Sequence, residues 1–145
     1  MLNYILLLPF ILVGTIIYGQ DIDQYKWQNR LLLVLSENNS TENVKEQLSE
    51  YHICKEELIE RRIILYQVLP DKYRLIKTSG NEEDWLSSNT LYNLFKTSAS
   101  NIEVILIGLD GGVKLRKKSK LGCGELSAVI DQMPMRRTEL RKQQK

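Results

Sequence analysis

The chain has 145 residues, enough for one domain around one core, and ordinary apolar and charged fractions that exclude gross disorder. A formal net charge of +2 is too small to argue for nucleic acid, and no basic stripe with interleaved aromatics supports one. Two cysteines and a single histidine limit the thiol and metal chemistry open to it.

Residues 1–19 stand apart. From Ile5 to Tyr18 the sequence is almost wholly apolar, and no charge precedes Asp21. This is the hydrophobic core of a signal peptide, with cleavage expected after Gly19. The start, Met1-Leu2-Asn3-Tyr4, lacks the usual lysine or arginine, so a retained anchor and a buried helix stay open as alternatives. The run is short for a bilayer span and is interrupted by Pro9 and Gly14, so no stable span is expected after cleavage. Export to the periplasm or the cell exterior follows from that reading.

Residues 20–29 form a polar lead-in whose Tyr25 and Trp27 are expected to cover the edge of the core. Arg30 to Ser36 is an apolar run too short for a helix and reads as a buried central strand. Asn39, Ser40 or Thr41 can cap the helix that follows, with Val44, Leu48 and Tyr51 on its inner face. A break near His52-Ile53 leads to a second helical piece, Lys55 to Arg61. Ile63 to Leu69 is a second strand stopped by Pro70, and a strand–helix–strand unit of this length implies a parallel crossover. Tyr73 to Ile76 reads as a short extra strand, and 80–84 as a loop. Thr90 to Lys96 is a short helix with Leu91, Leu94 and Phe95 inward. Val104 to Leu109, the turn Asp110-Gly111-Gly112 and Val113 to Arg116 form an antiparallel hairpin. A last helix over 124–133 ends at Pro134.

The order βαβ, α, ββα is that of a thioredoxin-like α/β domain, a mixed sheet flanked by helices. The domain is expected over 30–137, with 138–145 a frayed basic tail. The C-terminal pattern agrees: Gly108, Asp110 to Arg116, Ile130, Asp131, Met133 to Arg137 and Glu139 resemble the signature of the domain of unknown function family 4174. Leu109 departs from it, since members usually carry lysine there. Trp27, Arg30 and Glu60 to Leu65 extend the likeness upstream. The resemblance implies a thioredoxin-like fold, found in secreted bacterial proteins and animal extracellular-matrix proteins, with no defined biochemical role.

Redox chemistry on this fold needs a cysteine just after the first strand, where a helix N-terminus favours the thiolate. Here the segment reads Ser36-Glu37-Asn38-Asn39-Ser40-Thr41, without sulfur. The place of the cis-proline before the third strand reads Ser100-Asn101-Ile102-Glu103. Ser40 and Thr41 have no histidine nearby in sequence to activate them. Asn38 to Thr41 also contains two overlapping glycosylation sequons.

Cys54 lies at the far end of the first helix, and Cys123 at the start of the last. About thirteen helical residues place them on the order of 20 Å apart, whereas a disulfide needs Cα atoms within about 7 Å, so no disulfide is expected. Cys123, between two glycines and near Lys117, Lys118 and Lys120, is the fallback catalytic thiol. His52-x-Cys54 is too small a set for a metal site, and no cofactor is expected.

Asp110, Gly111 and Gly112 fit a structural turn. Met133, Pro134 and Met135 end the helix with both methionines under the sheet, and Asp131 pairs with Arg136 or Arg137. Arg116, Lys117, Arg136 and Arg137 form an alternative patch for an anionic partner. The leading reading is a non-catalytic exported module for an envelope or matrix partner. A thiol or peroxide enzyme using Cys123 and a membrane-tethered structural protein are the competing readings.

Overall fold

The computed structural model describes residues 20–77, 79 and 82–144. The expected signal peptide, residues 1–19, lies outside the described residues. Helices and strands follow in the order α1 (Gln20–Asp23), β1 (Arg30–Leu35), α2 (Glu42–Ile53), α3 (Lys55–Glu60), β2 (Ile63–Val68), β3 (Lys72–Ile76), β4 (Leu86–Ser87), α4 (Thr90–Phe95), β5 (Glu103–Ile107), β6 (Val113–Lys117), α5 (Cys123–Asp131) and α6 (Pro134–Gln143).

The sheet has six strands in the order β4-β3-β2-β1-β5-β6. β1 runs parallel to β2 and antiparallel to β5, and β6 returns antiparallel on β5. These four are the expected thioredoxin-like arrangement. The short strand read at Tyr73–Ile76 pairs antiparallel with β2 and is extended by β4.

Alternation along the strands divides the core by face. Leu32, Val34, Leu65, Val104 and Leu106 point to one side, where Val44, Tyr51, Leu58, Leu126 and Ile130 of α2, α3 and α5 cover them. Leu31, Leu33, Leu35, Ile105 and Ile107 point to the other, under Leu91 and Phe95 of α4 and Ile22 of α1. Every residue of β1 is buried, which is why it reads as an unbroken apolar run rather than an alternating one.

Four expectations change. Leu94 is 63% exposed: with Leu91 and Phe95 inward at a spacing of four, it lies roughly 80° around α4 from their midpoint, on the flank that faces solvent. Pro134 does not close the domain. α5 stops at Asp131, and Pro134 is the first residue of α6, where its fixed φ and missing N–H suit a helix start. The expected frayed tail is therefore helical through Gln143, and Glu139 on it reaches back to Arg30. Of the two methionines around Pro134, Met133 packs on the core while Met135 is 39% exposed.

Candidate functional site

The segment after β1, where this fold keeps its redox thiol, is a closed set of hydroxyl and amide contacts. Ser36 is buried and donates to the Asn38 carbonyl at 2.9 Å. The Asn38 side chain accepts from the Ser40 amide at 3.2 Å and from its hydroxyl at 3.0 Å. Thr41 is the N-cap residue of α2, yet its hydroxyl turns back to the Asn38 carbonyl at 3.3 Å instead of capping the helix. Among the described residues neither Ser40 nor Thr41 meets a base, and His52 sits in the last turn of α2.

The place of the cis-proline holds a buried acid. Glu103 opens β5 and is fully buried. It accepts from Arg116 at 2.5 Å, from the Thr97 hydroxyl at 2.7 Å and from the Thr97 amide at 3.2 Å, with Lys96 at 3.9 Å. Burial pushes its carboxyl up, and the hydrogen bonds from Arg116 and Thr97 outweigh that, leaving it below the usual carboxylate range. Among the described residues no peptide bond is cis. The sequence signal for Glu103 was a lone charge heading an apolar strand.

The two cysteines correct the sequence reading. Cys54 and Cys123 form a disulfide with Cα atoms 6.5 Å apart, and no free cysteine remains. The geometric argument failed because it started α5 directly at the end of β6. Between them lies the irregular segment 118–122, which can span on the order of 16 Å, and it runs along α2. Lys120 pairs with Glu46. The Leu121 carbonyl accepts from Gln47 at 2.9 Å and from the Tyr51 hydroxyl at 3.0 Å, and its amide donates to Gln47 at 2.6 Å. The Cys123 amide donates to Glu50 at 3.0 Å. These rungs carry the chain down α2 until Cys123 meets Cys54. As a result the fallback catalytic thiol is half of a cross-link, at the end of α2 remote from the loop that follows β1.

The four cations of the expected anion patch do not assemble. Arg116 and Lys117 pair with Ile105 and Val104 across the hairpin, level with the C-terminal half of β1. Arg116 is held by Glu103 and the Phe95 carbonyl, and Lys117 by Glu125. Arg137 is exposed on α6, but Arg136 is buried near Arg30, at the opposite end of β1.

There Arg136 donates to the Glu60 carboxylate at 2.5 Å and carbonyl at 3.2 Å, to Asp131 at 3.3 Å and to Glu139 at 3.5 Å. Arg61 also holds Asp131, at 2.8 and 3.1 Å, and Arg30 holds Glu139, at 3.3 and 3.4 Å. The hydrogen bonds from Arg61 draw the Asp131 carboxyl below its usual range. For Arg136, burial lowers the pKa, and the bonds to Glu60 and Asp131 more than restore it. A pairing of Asp131 with Arg136 or Arg137 was expected, and Arg136 makes it. The parts that Glu60, Arg61 and Arg30 play in the network were not expected, because their partners lie far from them in sequence, on α5 and α6.

The hairpin turn adjoins this network. Asp110 accepts from the Gly112 amide at 3.0 Å and from Lys114 at 2.6 Å, and the bond from Lys114 holds its carboxyl low. Gly111 has φ +80°. The Trp27 amide donates to the Leu109 carbonyl at 2.7 Å, and the indole itself is 64% exposed. Among the described residues no group of three or more His, Cys, Asp or Glu could hold a metal ion.

Among solved structures the chain is similar to the reduced 2-Cys peroxiredoxin of Plasmodium vivax, with a TM-score of 0.53, 15% identity, and coverage of 82% of this chain and 84% of that one. At that identity the likeness is one of fold, and it supports the thioredoxin-like reading of the sheet. No curated protein matches the chain. The family model for the domain of unknown function DUF4174 matches residues 21–139, a span that holds both cysteines, the glycine turn and the buried arginines, and the chain belongs to that family.

Proposed function

We propose that this chain is an exported, non-catalytic thioredoxin-fold domain that binds a protein or an anionic component of an envelope or matrix. The observation that carries this reading is where the sulfur lies. Both cysteines are spent on one bond at the far end of α2, and the loop after β1 has none. A cross-link over a sequence separation of 69 residues is a structural staple suited to an oxidising compartment. Among the described residues no helix is long and apolar enough to cross a membrane.

The second reading, a thiol oxidoreductase working through Cys123, draws on the position of that residue at the first turn of α5. Glu50 weighs against it. Its carboxylate accepts the Cys123 amide, so a negative charge already occupies the helix start that would stabilise a thiolate.

An insulin-reduction assay and a peroxide-consumption assay on the mature chain, each with and without Cys123→Ser, separate the two. No turnover above background is expected. Turnover that Cys123→Ser abolishes would establish the enzyme. N-terminal sequencing of the exported product tests the export reading, with a start at Gln20 expected and an intact Met1 favouring a tether.

A further inference from the structure

A cleft of about 400 Å³ lies between the turn that leads into β1, the junction of α3 with β2, and α6. That volume falls among the roughly 300–1,000 Å³ sites that take small ligands. Trp27, Leu109 and Met135 give it an apolar wall, and Arg62 and Lys142 bring positive charge to it.

Packing does not explain Trp27. Its φ is +65°, in the left-handed region that suits glycine or asparagine and that a bulky side chain occupies only at a cost. The Leu109 carbonyl holds its amide in that conformation at 2.7 Å. The ring gains little from the core in return, being 64% exposed. Backbone strain of this kind collects where a side chain has to be aimed at a ligand. Arg62 repeats the pattern: its φ is +53° and the residue is exposed.

The charge of the cleft is unpaired. Neither Arg62 nor Lys142 has a side-chain hydrogen bond or ion pair among the described residues. The acid that lines the cleft, Glu139, is 13% exposed and is held by Arg30 and Arg136, so it does not neutralise them. Thr138 and Gln143 complete the lining with an exposed hydroxyl and an exposed amide.

We infer that this cleft binds a uronate unit of an acidic polysaccharide, with the Trp27 ring stacked on the sugar and Arg62 and Lys142 pairing with its carboxylate. A single open indole supplies a flat apolar face for a pyranose ring. The hydroxyl of Thr138 and the amide of Gln143 can exchange hydrogen bonds with sugar hydroxyls, which a lipid or an aromatic acid would leave unanswered. The two unpaired cations select an acidic unit over a neutral one. Because Arg62, Thr138, Lys142 and Gln143 are all exposed, the chain can continue past the cleft, which favours a polymer over a free sugar. The inference rests on the binding-module reading and gives its anionic component a chemical class.

Calorimetric titration of the disulfide-bonded chain with tetragalacturonate, free galacturonate, maltotetraose and a tetraglutamate peptide tests it. Tetragalacturonate is expected to bind saturably, and at least tenfold more tightly than each of the other three. Trp27→Gly removes the ring and suits the left-handed backbone, and Arg62→Asn does the same for the guanidinium. Both variants should melt within a few degrees of wild type and lose at least tenfold in affinity. Lys118→Gln, which removes an exposed cation outside the cleft, should lose none. The inference is overturned by an absence of saturable tetragalacturonate binding, by equal binding of the free sugar or the neutral oligomer, by unchanged affinity in both cleft variants, or by an equal loss in Lys118→Gln. Binding of the peptide in place of the sugar would overturn the ligand class and leave the binding module standing. Turnover abolished by Cys123→Ser would overturn the module reading without altering these titrations, so the two fall separately.

Discussion

Gln47 and Leu121 hold each other reciprocally: the side-chain amide of Gln47 donates to the Leu121 carbonyl at 2.9 Å, and its oxygen accepts the Leu121 amide at 2.6 Å. Both residues are completely buried. The pair fixes the loop between β6 and α5 against α2, two turns before the disulfide. Gln47→Leu keeps the volume and leaves the Leu121 amide with no acceptor, whereas the carbonyl retains Tyr51. A loss of about 1–3 kcal/mol is expected from urea denaturation at unchanged m-value. A variant as stable as the wild type would show that the loop is positioned by other contacts.

The disulfide should act as a staple and nothing more. A loop of this length predicts about 4 kcal/mol from chain entropy. Cys54→Ala, Cys123→Ala and the double variant should all lose the same amount, matching wild-type protein in dithiothreitol. The melting temperature should fall by on the order of 10 °C in each case. If reduction leaves stability untouched while the single variants lose it, the loss comes from packing and the bond is not structural.

Why the bond escaped the sequence reading is instructive. Local periodicity defined β1, α2, α3, β2 and the hairpin nearly to the residue, because each depends on neighbours in sequence. The proximity of Cys54 and Cys123 depends instead on the path of 118–122, and that path is chosen by Gln47, a polar residue on the inner face of an amphipathic helix. Patterning weighs such a residue as a defect rather than a latch. Pro134 was ambiguous for another reason, since a proline both follows helix ends and opens helix starts. Arg136 looked like surface because its acceptors, Glu60, Asp131 and Glu139, lie on three different elements.

The two glycines of the turn should respond differently to alanine. Gly111 has φ +80°, and an added Cβ would collide with Cε of Lys26, whose flexible end can move aside. The backbone conformation is the lasting cost, about 1–2 kcal/mol for Gly111→Ala. At Gly112 the nearest atom to an added Cβ is Asp110 Oδ1 at 3.4 Å, an ordinary contact, and φ is not positive. Gly112→Ala should stay within about 0.5 kcal/mol of wild type. Thermal melts of the pair decide it, and equal losses would point to a packing requirement at both positions.

Stability should fall in acid through Glu103. Its folded carboxyl titrates below the ordinary glutamate range, so the stabilisation is fully present above about pH 4.3 and is lost as pH drops through the lowered folded value. Asp131, also lowered, adds a second contribution with the same sign. Glu103→Gln should flatten part of the dependence of unfolding free energy on pH below about 4.3, and Asp131→Asn a separate part. A Glu103→Gln variant with the wild-type acid slope would place the linkage elsewhere.

Arg136 tests what the arginine network contributes. Its guanidinium reaches four acceptors, the Glu60 carbonyl and carboxylate, Asp131 and Glu139. Arg136→Met preserves the apolar stem and strands those acceptors. Glu60 and Asp131 are 51% and 38% exposed and can turn to water, and Arg30 still holds Glu139, so the cost belongs at the low end for breaking a buried pair, about 3 kcal/mol. Arg136→Lys should recover little of it, because one ammonium cannot serve acceptors spread around a planar fork. The deficit should persist in 1 M salt, where exposed pairs are screened within about 3 Å. A deficit that salt erases would mean that the network works as a surface ion pair, and that α6 is held to the sheet by its apolar contacts alone.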